Sequence, residues 1–426
     1  MSEDYHQMWS DLGLDLEAHD ALLAVLGQGY QQLFMSQKNR PRGMGYFDFV
    51  MSEVHGLRIR ELMDAKKEGR VVVGSFCVFV PEELVLAVDG ISVGLCAGAE
   101  FGFAEAEKVL PRNTCSLIKS AFGFKLGRIC PYIESCDLIV GENTCDGKKK
   151  AYEIFGDMVS RLHVIDLPQM KSDSGRMLLT AEYKKFVAEL ESVSGKTVTP
   201  ENLKVGMAVV NRKRQALKRL RDLRSANPAP ISGMDALLIQ QISFYDDPIR
   251  FTDSVNKLCD ELEERIKNKE GVFPADTPRI MLSGCPMAVP NWKVPAVIES
   301  TNAVIVGEES CVGERGLRGD VSETGDTLEE LIDNIVERYF KIDCAVFTPN
   351  PDRQIHIREM AEKYKADGII HYSLQFCQPY QMESGTVENV LEDHNFPTIR
   401  LETDYSQEDA GQIKTRVEAF VERLQG

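Results

Sequence analysis

The chain has 426 residues, with 49 Lys and Arg against 66 Asp and Glu, so its formal net charge is −17; that length suggests about two or three domains. The acidic balance argues against a nucleic-acid partner, which needs a clustered positive field. The acidic N-terminal stretch lacks the basic and apolar regions of a secretory signal, and no apolar run reaches the ~18 residues of a membrane helix, so a cytoplasmic protein without membrane attachment is expected.

Residues 1–70 read as helices, with apolar faces at Leu22, Leu23 and Leu26 and again at Ile59, Leu62 and Met63. The grammar then changes. Val71-Val72-Val73-Gly74, Ile91 to Cys96, Asp137 to Gly141 and His163 to Pro168 are short, β-branched and apolar on both faces, as in strands of a covered parallel sheet. From about Lys171 to Lys269 the spacing is helical again: Tyr183 to Val193, the basic stretch Leu203 to Leu223, and Val255 to Ile266. After Pro274 the strand pattern repeats at Arg279 to Pro286, Ala303 to Gly307, Gly368 to Gln375 and Pro397 to Glu402. The expected fold is therefore α/β: two flavodoxin-like parallel-sheet units by internal duplication, with an N-terminal helical segment and a helical insert. The expected divisions are 1–70 (helices), 71–170 (first unit), 171–275 (helical connection) and 276–426 (second unit).

Eleven cysteines are the unusual feature. A reducing cytosol keeps them out of disulfides. Many lie in Gly-, Pro- or Ser-containing turns, whereas structural thiols favour apolar runs, so the pattern points to metal. In parallel α/β sheets ligands gather beyond the carboxyl ends of the strands. Cys77, Cys96 and Cys145 fall at such ends in the first half, and Cys285, Cys311 and Cys377 in the second. Cys115 begins a helical stretch and Cys344 precedes one. If the halves face each other, up to eight thiols meet in one cleft, too many for one zinc ion. The close Cys-x₂-Cys pairs of structural zinc sites and the ferredoxin spacing are both absent. A dispersed set from two units suits an iron–sulfur cluster at their interface. For Cys259, inside a helical stretch, and Cys136, before the third strand, a packing role is preferred; Cys96 and Cys130 stay open between the two.

Several segments are familiar: Val73-Gly74-Ser75-Phe76-Cys77 followed by Pro81-Glu82-Glu83; Leu110-Pro111-Arg112-Asn113-Thr114-Cys115; Gly141-Glu142-Asn143-Thr144-Cys145-Asp146-Gly147-Lys148-Lys149-Lys150; Ser283-Gly284-Cys285-Pro286; and Glu402-Thr403-Asp404-Tyr405-Ser406 with Thr415-Arg416-Val417-Glu418. Together they resemble the family of 2-hydroxyacyl-CoA dehydratase and benzoyl-CoA reductase subunits, over nearly all of the chain beyond the N-terminal helices. Within that family the resemblance is to members whose two [4Fe-4S] units share a sulfide in an [8Fe-9S] double-cubane cluster.

The resemblance implies six cysteine ligands, three for each cubane, out of Cys77, Cys115, Cys145, Cys285, Cys311, Cys344 and Cys377. An ordinary dehydratase subunit would hold a single [4Fe-4S] cluster on three cysteines, leaving one iron open to substrate; Cys77, Cys115 and Cys377 are expected as ligands either way. The resemblance further implies an ATP-dependent, low-potential reductase component acting on a small unsaturated molecule. Its electrons would come from a homodimeric ATP-hydrolysing [4Fe-4S] reductase, or activator, and the chain would self-associate as a homodimer. The alternatives are a subunit of a radical 2-hydroxyacyl-CoA dehydratase and a non-catalytic electron-transfer protein.

Three further features need a reading. His371, Gln375 and Tyr380 flank Cys377, and Glu309 precedes Cys311; each is a candidate proton donor or a hydrogen-bond partner of a cluster sulfur. The basic run from Arg212 to Arg224 is either a solvated face or an electrostatic docking site. Ser194-Gly195-Lys196-Thr197 mimics the tail of a phosphate-binding loop but follows a helix and lacks the first glycine, so ATP binding by this chain is not expected.

Overall fold

Eight short strands form where β-branched residues cluster: β1 (Val72–Ser75), β2 (Ile91–Gly94), β3 (Leu138–Glu142), β4 (Leu162–Ile165), β5 (Arg279–Gly284), β6 (Val304–Glu309), β7 (Gly368–Leu374) and β8 (Thr398–Thr403). The computed structural model describes residues 4–426; residues 1–3 of the expected N-terminal segment lie outside the described residues. All pairings are parallel. The strands form two four-stranded sheets in the orders β2-β1-β3-β4 and β6-β5-β7-β8, so one topology occurs twice. That is the duplicated, flavodoxin-like arrangement the strand order of the sequence suggests.

Each sheet is covered on both faces, which explains the unbroken apolar runs. Alternate residues of β1 and β3 enter different cores: Val72 and Ile139 join one, while Val73, Leu138 and Val140 join another with Leu179 and Phe186 of the helix Asp173–Ser194. The second of these cores also takes Ile335 and Val336 from the helix Leu328–Tyr339. A helix that follows β6 in sequence thus packs against the first sheet, and the two units interlock.

The helical stretch between the sheets is bounded by side-chain caps. Ser172, Thr199 and Asp247 accept hydrogen bonds from the first-turn amides of the helices Asp173–Ser194, Pro200–Leu223 and Pro248–Lys267. Gly195, at φ +67, ends the first of them, so the phosphate-loop mimic is a helix terminus. A further helix, Gly233–Ile242, is buried along its whole length.

The basic helix Pro200–Leu223 directs most of its cations to acidic partners within the protein, while Arg212 stays on an exposed face. Arg214 turns inward and meets Glu83 at 2.7 Å, while Arg224, just beyond the helix, meets Glu308 of the second sheet. Lys218 pairs with Asp320 at 2.6 Å, and Arg219 reaches Asp260 and Glu263 at 2.7 Å. Most of its positive charge is spent on internal partners. Two short loops complete the junction: the Gly98 amide donates to Val289 O at 2.8 Å, so close that a Cβ on Gly98 would lie 2.1 Å from Ala288 O. No helix among the described residues is long and apolar enough to cross a membrane.

Candidate functional site

The carboxyl ends of the two sheets face a common space. β1 runs directly into Phe76 and Cys77, and β6 into Ser310 and Cys311. Cys115, Cys145 and Cys377 each stand at the N-cap of a helix, Ser116–Leu126, Asp146–Gly156 and Gln378–Asp393 respectively, where the helix dipole favours a thiolate. Cys285 depends on the glycine before it. Gly284 has φ +130, and a Cβ there would sit 1.9 Å from Tyr372 O. The turn lets the Cys285 amide bond to Tyr372 O at 3.0 Å, and its sulfur receives the Leu374 amide at 3.4 Å.

One cavity is lined by Cys77, Cys96, Cys115 and Cys145 from the first half and by Cys285, Cys311, Cys344 and Cys377 from the second. Between them its wall is mainly apolar, with Phe76, Leu117, Ile118, Val312 and Leu374. The thiols meet across the unit boundary: Cys77 is in hydrogen-bonding contact with Cys311, and Cys115 with Cys377. Their acidities separate accordingly. The hydrogen bond between Cys77 and Cys311, followed by burial, pushes Cys77 up, while the same bond and the adjacent Arg315 draw Cys311 down to about 6. Cys115 is raised by its bond to Cys377 and by burial; burial also raises Cys145 and Cys344. Among the described residues no three His, Cys, Asp or Glu side chains already gather as a group for one metal ion. The sulfurs instead line a largely apolar cavity, a donor set that fits a polynuclear iron–sulfur group with thiolate ligands.

The other cysteines are distributed differently. Cys96 stands in the cavity wall, but its thiol donates to Phe76 O at 2.9 Å and burial raises it to about 11. Cys130 lines a separate, smaller cavity with Leu22 and Met51. Cys136 donates to Tyr132 O at 3.1 Å, and Cys259 is fully buried in its helix, raised by burial to about 12.

Of the four polar candidates, Tyr380 alone lines the thiol cavity, with its hydroxyl 3.9 Å from the Cys344 sulfur. That hydroxyl accepts a hydrogen bond from Arg315. Glu309 lies beside the cavity, at the end of β6. Burial alone would raise its carboxyl, but the guanidinium groups of Arg315 and Arg353 outweigh this and hold it at about 2. His371 is buried within β7, and desolvation lowers it to about 3, so it is neutral. Gln375 lies past the end of β7, its amide bonded to Thr403 O at 2.8 Å.

Two cationic residues at the site have no role in the sequence reading. Arg315, fully buried, donates to Cys311 Sγ at 3.3 Å, Gly284 O at 3.1 Å and Glu309 Oε1 at 2.8 Å. The available signal is its position four residues after Cys311, about one turn along the chain. Lys148, in the Cys145-Asp146-Gly147-Lys148 segment, lines the cavity from the first half and pairs with Glu142. A broad cleft of about 910 Å³ opens onto Cys115, Cys145 and Cys377, edged by Asn113, Asn143, Gln378 and Met382.

The chain is similar to known proteins over most of its length. The family model described as 2-hydroxyglutaryl-CoA dehydratase, D-component, matches residues 77–424. The Escherichia coli (strain K12) protein YjiM, whose name describes a dehydratase subunit, is 38% identical over 379 residues, covering 88% of this chain and 96% of its own. The (R)-phenyllactyl-CoA dehydratase beta subunit of Clostridium sporogenes is 26% identical over 366 residues, 84% of this chain and 93% of its own. A benzoyl-CoA reductase subunit of Thauera aromatica is 21% identical over 349 residues, 81% of this chain and 88% of its own.

Proposed function

Because the chain belongs to the 2-hydroxyglutaryl-CoA dehydratase D-component family, we propose that it is the iron–sulfur component of an ATP-dependent, low-potential reductase. In this reading an [8Fe-9S] double-cubane cluster sits between the two sheets on six of Cys77, Cys115, Cys145, Cys285, Cys311, Cys344 and Cys377. The observation that supports it is the supply of these thiols to one cavity from both halves, three from the first and four from the second. A single cubane on three cysteines would leave most of them idle.

When bound, such a group supplies electrons at low potential, one at a time, to a small unsaturated molecule. The chain's own residues do the rest. The apolar wall excludes water, which strengthens every electrostatic interaction inside. Arg315 donates a charge-assisted hydrogen bond to Cys311 and so favours its thiolate. Tyr380, held by Arg315 and raised by burial, keeps its proton and presents a hydroxyl at the cavity, the best placed of the four candidates to pass one on. Glu309, ionised between two guanidiniums, positions Arg315. The cleft above Cys115, Cys145 and Cys377 is the route for a small-molecule substrate. Electrons arrive in this reading from a homodimeric ATP-hydrolysing [4Fe-4S] partner, and the chain works as a cytoplasmic homodimer.

The second reading is a subunit of a 2-hydroxyacyl-CoA dehydratase with one [4Fe-4S] cluster. It is favoured by the relatives named as acyl-CoA dehydratase beta subunits and by a cleft of about 910 Å³, near the upper end for pockets that take drug-sized ligands. Anaerobic purification with iron and acid-labile sulfide analysis separates the two. About eight iron and nine sulfide per chain support the double cubane; about four of each support the dehydratase; none removes both.

A further inference from the structure

A second chamber, of about 100 Å³, meets the thiol cavity at Cys77 and Cys311 and shares no wall residue with the open cleft. It lies among the helices Pro200–Leu223 and Leu328–Tyr339 and the end of the first sheet, with Ser92, Lys213, Arg214, Gln240, Ser243 and Arg338 in its wall. Three of these are cations, and only two carboxylates answer them. Lys213 pairs with Glu82. Arg214 meets Glu83 at 2.7 Å, and Glu83 also accepts from the Tyr339 hydroxyl at 2.8 Å.

Arg338 is the remainder. It is 2% exposed, donates to Gly316 O, and lies over the Tyr339 ring at 4.6 Å. Its buried Nε has no hydrogen-bond partner, and among the described residues no carboxylate pairs with it. Burial and the charge of Arg214 lower its pKa to about 10, outweighing the opposing pull of Tyr339 and of Glu83, whose charge it shares with Arg214. Burying a guanidinium with no carboxylate paired to it is unfavourable, and an anion in the chamber would offset that.

We propose that this chamber binds a small anion at Arg338, beside Lys213 and Ser92, with Cys77 and Cys311 at its inner end. The volume sets the size: about 100 Å³ is room for roughly three waters at ~30 Å³ each, which admits an anion of a few heavy atoms and excludes a nucleotide or an acyl-CoA. As an anion site the chamber stands on its own geometry. As a second path by which a small anionic substrate reaches the thiol-bound group, it rests on the reductase reading above.

Bromide is a suitable probe. Its NMR line width is measured in chloride-free buffer with the full chain as isolated anaerobically, and with Arg338→Gln and Ser92→Leu. The first variant removes the unpaired cation, and the second fills the chamber while leaving all three cations. The wild type should show saturable excess broadening, with affinity lowered roughly tenfold or more in both variants, in Arg338→Gln through loss of a charged donor and in Ser92→Leu through loss of space. Equal broadening in wild type and variants, or none in any, overturns the site. If Arg338→Gln does not fold, Ser92→Leu decides alone. Iron measured on the same samples keeps the two readings apart. Bromide binding without iron leaves the anion site standing and removes the reductase; iron without bromide binding does the reverse.

Discussion

The two sheets are built alike and furnished differently. Both follow the same strand order and deliver thiols from loops beyond their carboxyl ends. Yet β1 to β4 are four or five residues long, whereas β5 to β8 run to six or seven. At the end of β6, Glu309 is locked between Arg315 and Arg353, all three fully buried. β2, which occupies the place of β6 in the first sheet, ends at Gly94 with no charge; the first unit's buried strand-end carboxylate is instead Glu142 of β3, paired with Lys148, whose side chain keeps 15% of its exposure. Duplication thus explains where thiols emerge; it does not explain the charge beside them. The second unit alone aims a buried guanidinium at a sulfur, Arg315 at Cys311, across from Cys77 of the first.

The largest effect expected from breaking this arrangement comes from the thiols that bridge the units. Cys115 and Cys377 touch across the boundary, so Cys115→Ser or Cys377→Ser should each cut iron to below half of the wild-type content. Cys259→Ser and Cys136→Ser, remote from the cavity, should leave it unchanged. Elemental analysis of anaerobic preparations reads the result. Iron retained by both bridging variants would mean that the units hold their metal separately, or not at all.

Next in size is the contrast between the two buried carboxylates. Glu309→Gln leaves two buried guanidiniums without their shared anion and should cost about 3–5 kcal/mol. Glu142→Gln removes one partner of a lysine that water can still reach, and should cost about 1–3 kcal/mol. Urea denaturation of the two variants measures both. Equal costs would erase the asymmetry between the units.

That asymmetry was not legible in the sequence, although much else was. Strands buried on both faces leave unbroken β-branched runs, and a Gly or Ser followed by Cys marks their ends, so all eight strands and the shared thiol cavity follow from local pattern. The helix Gly233–Ile242 was hidden because it is buried all round and has no amphipathic period to detect. The helix Pro200–Leu223 misled for a different reason. Its basic residues suggest an outward face, but the acids that neutralise Arg214 and Arg224 lie 131 and 84 positions away, at Glu83 and Glu308. Pairings at such separations leave no local signature. The same holds for Arg353, which meets Glu309 from a helix 44 residues downstream.

The last comparison is between buried histidines and a buried carboxylate in their response to acid. His19 lies in the helix Leu16–Tyr30 and His55 in the turn before the helix Leu57–Lys67, their ring nitrogens 3.0 Å apart, and His55 packs against Tyr132 of the first unit. Burial lowers His19 to about 4 and His55 to about 3. Both are neutral when folded, and unfolding lets them take up protons once the pH drops below the ordinary histidine value of ~6.5. Stability contributed by this pair is therefore complete above that value and declines as pH falls toward 4, with up to about two protons bound on unfolding. Glu309 behaves otherwise. Held at about 2 by its two arginines, it keeps its contribution through the same window and loses it only as pH falls from its unfolded value of ~4.3 through the folded one. Unfolding free energies measured from pH 7.5 to 4.5 should decline in the wild type and decline less steeply in the double variant His19→Gln, His55→Asn, the remaining slope coming from His163, His356 and His371, which burial also lowers. An identical slope in both would place the acid-sensitive groups elsewhere in the chain.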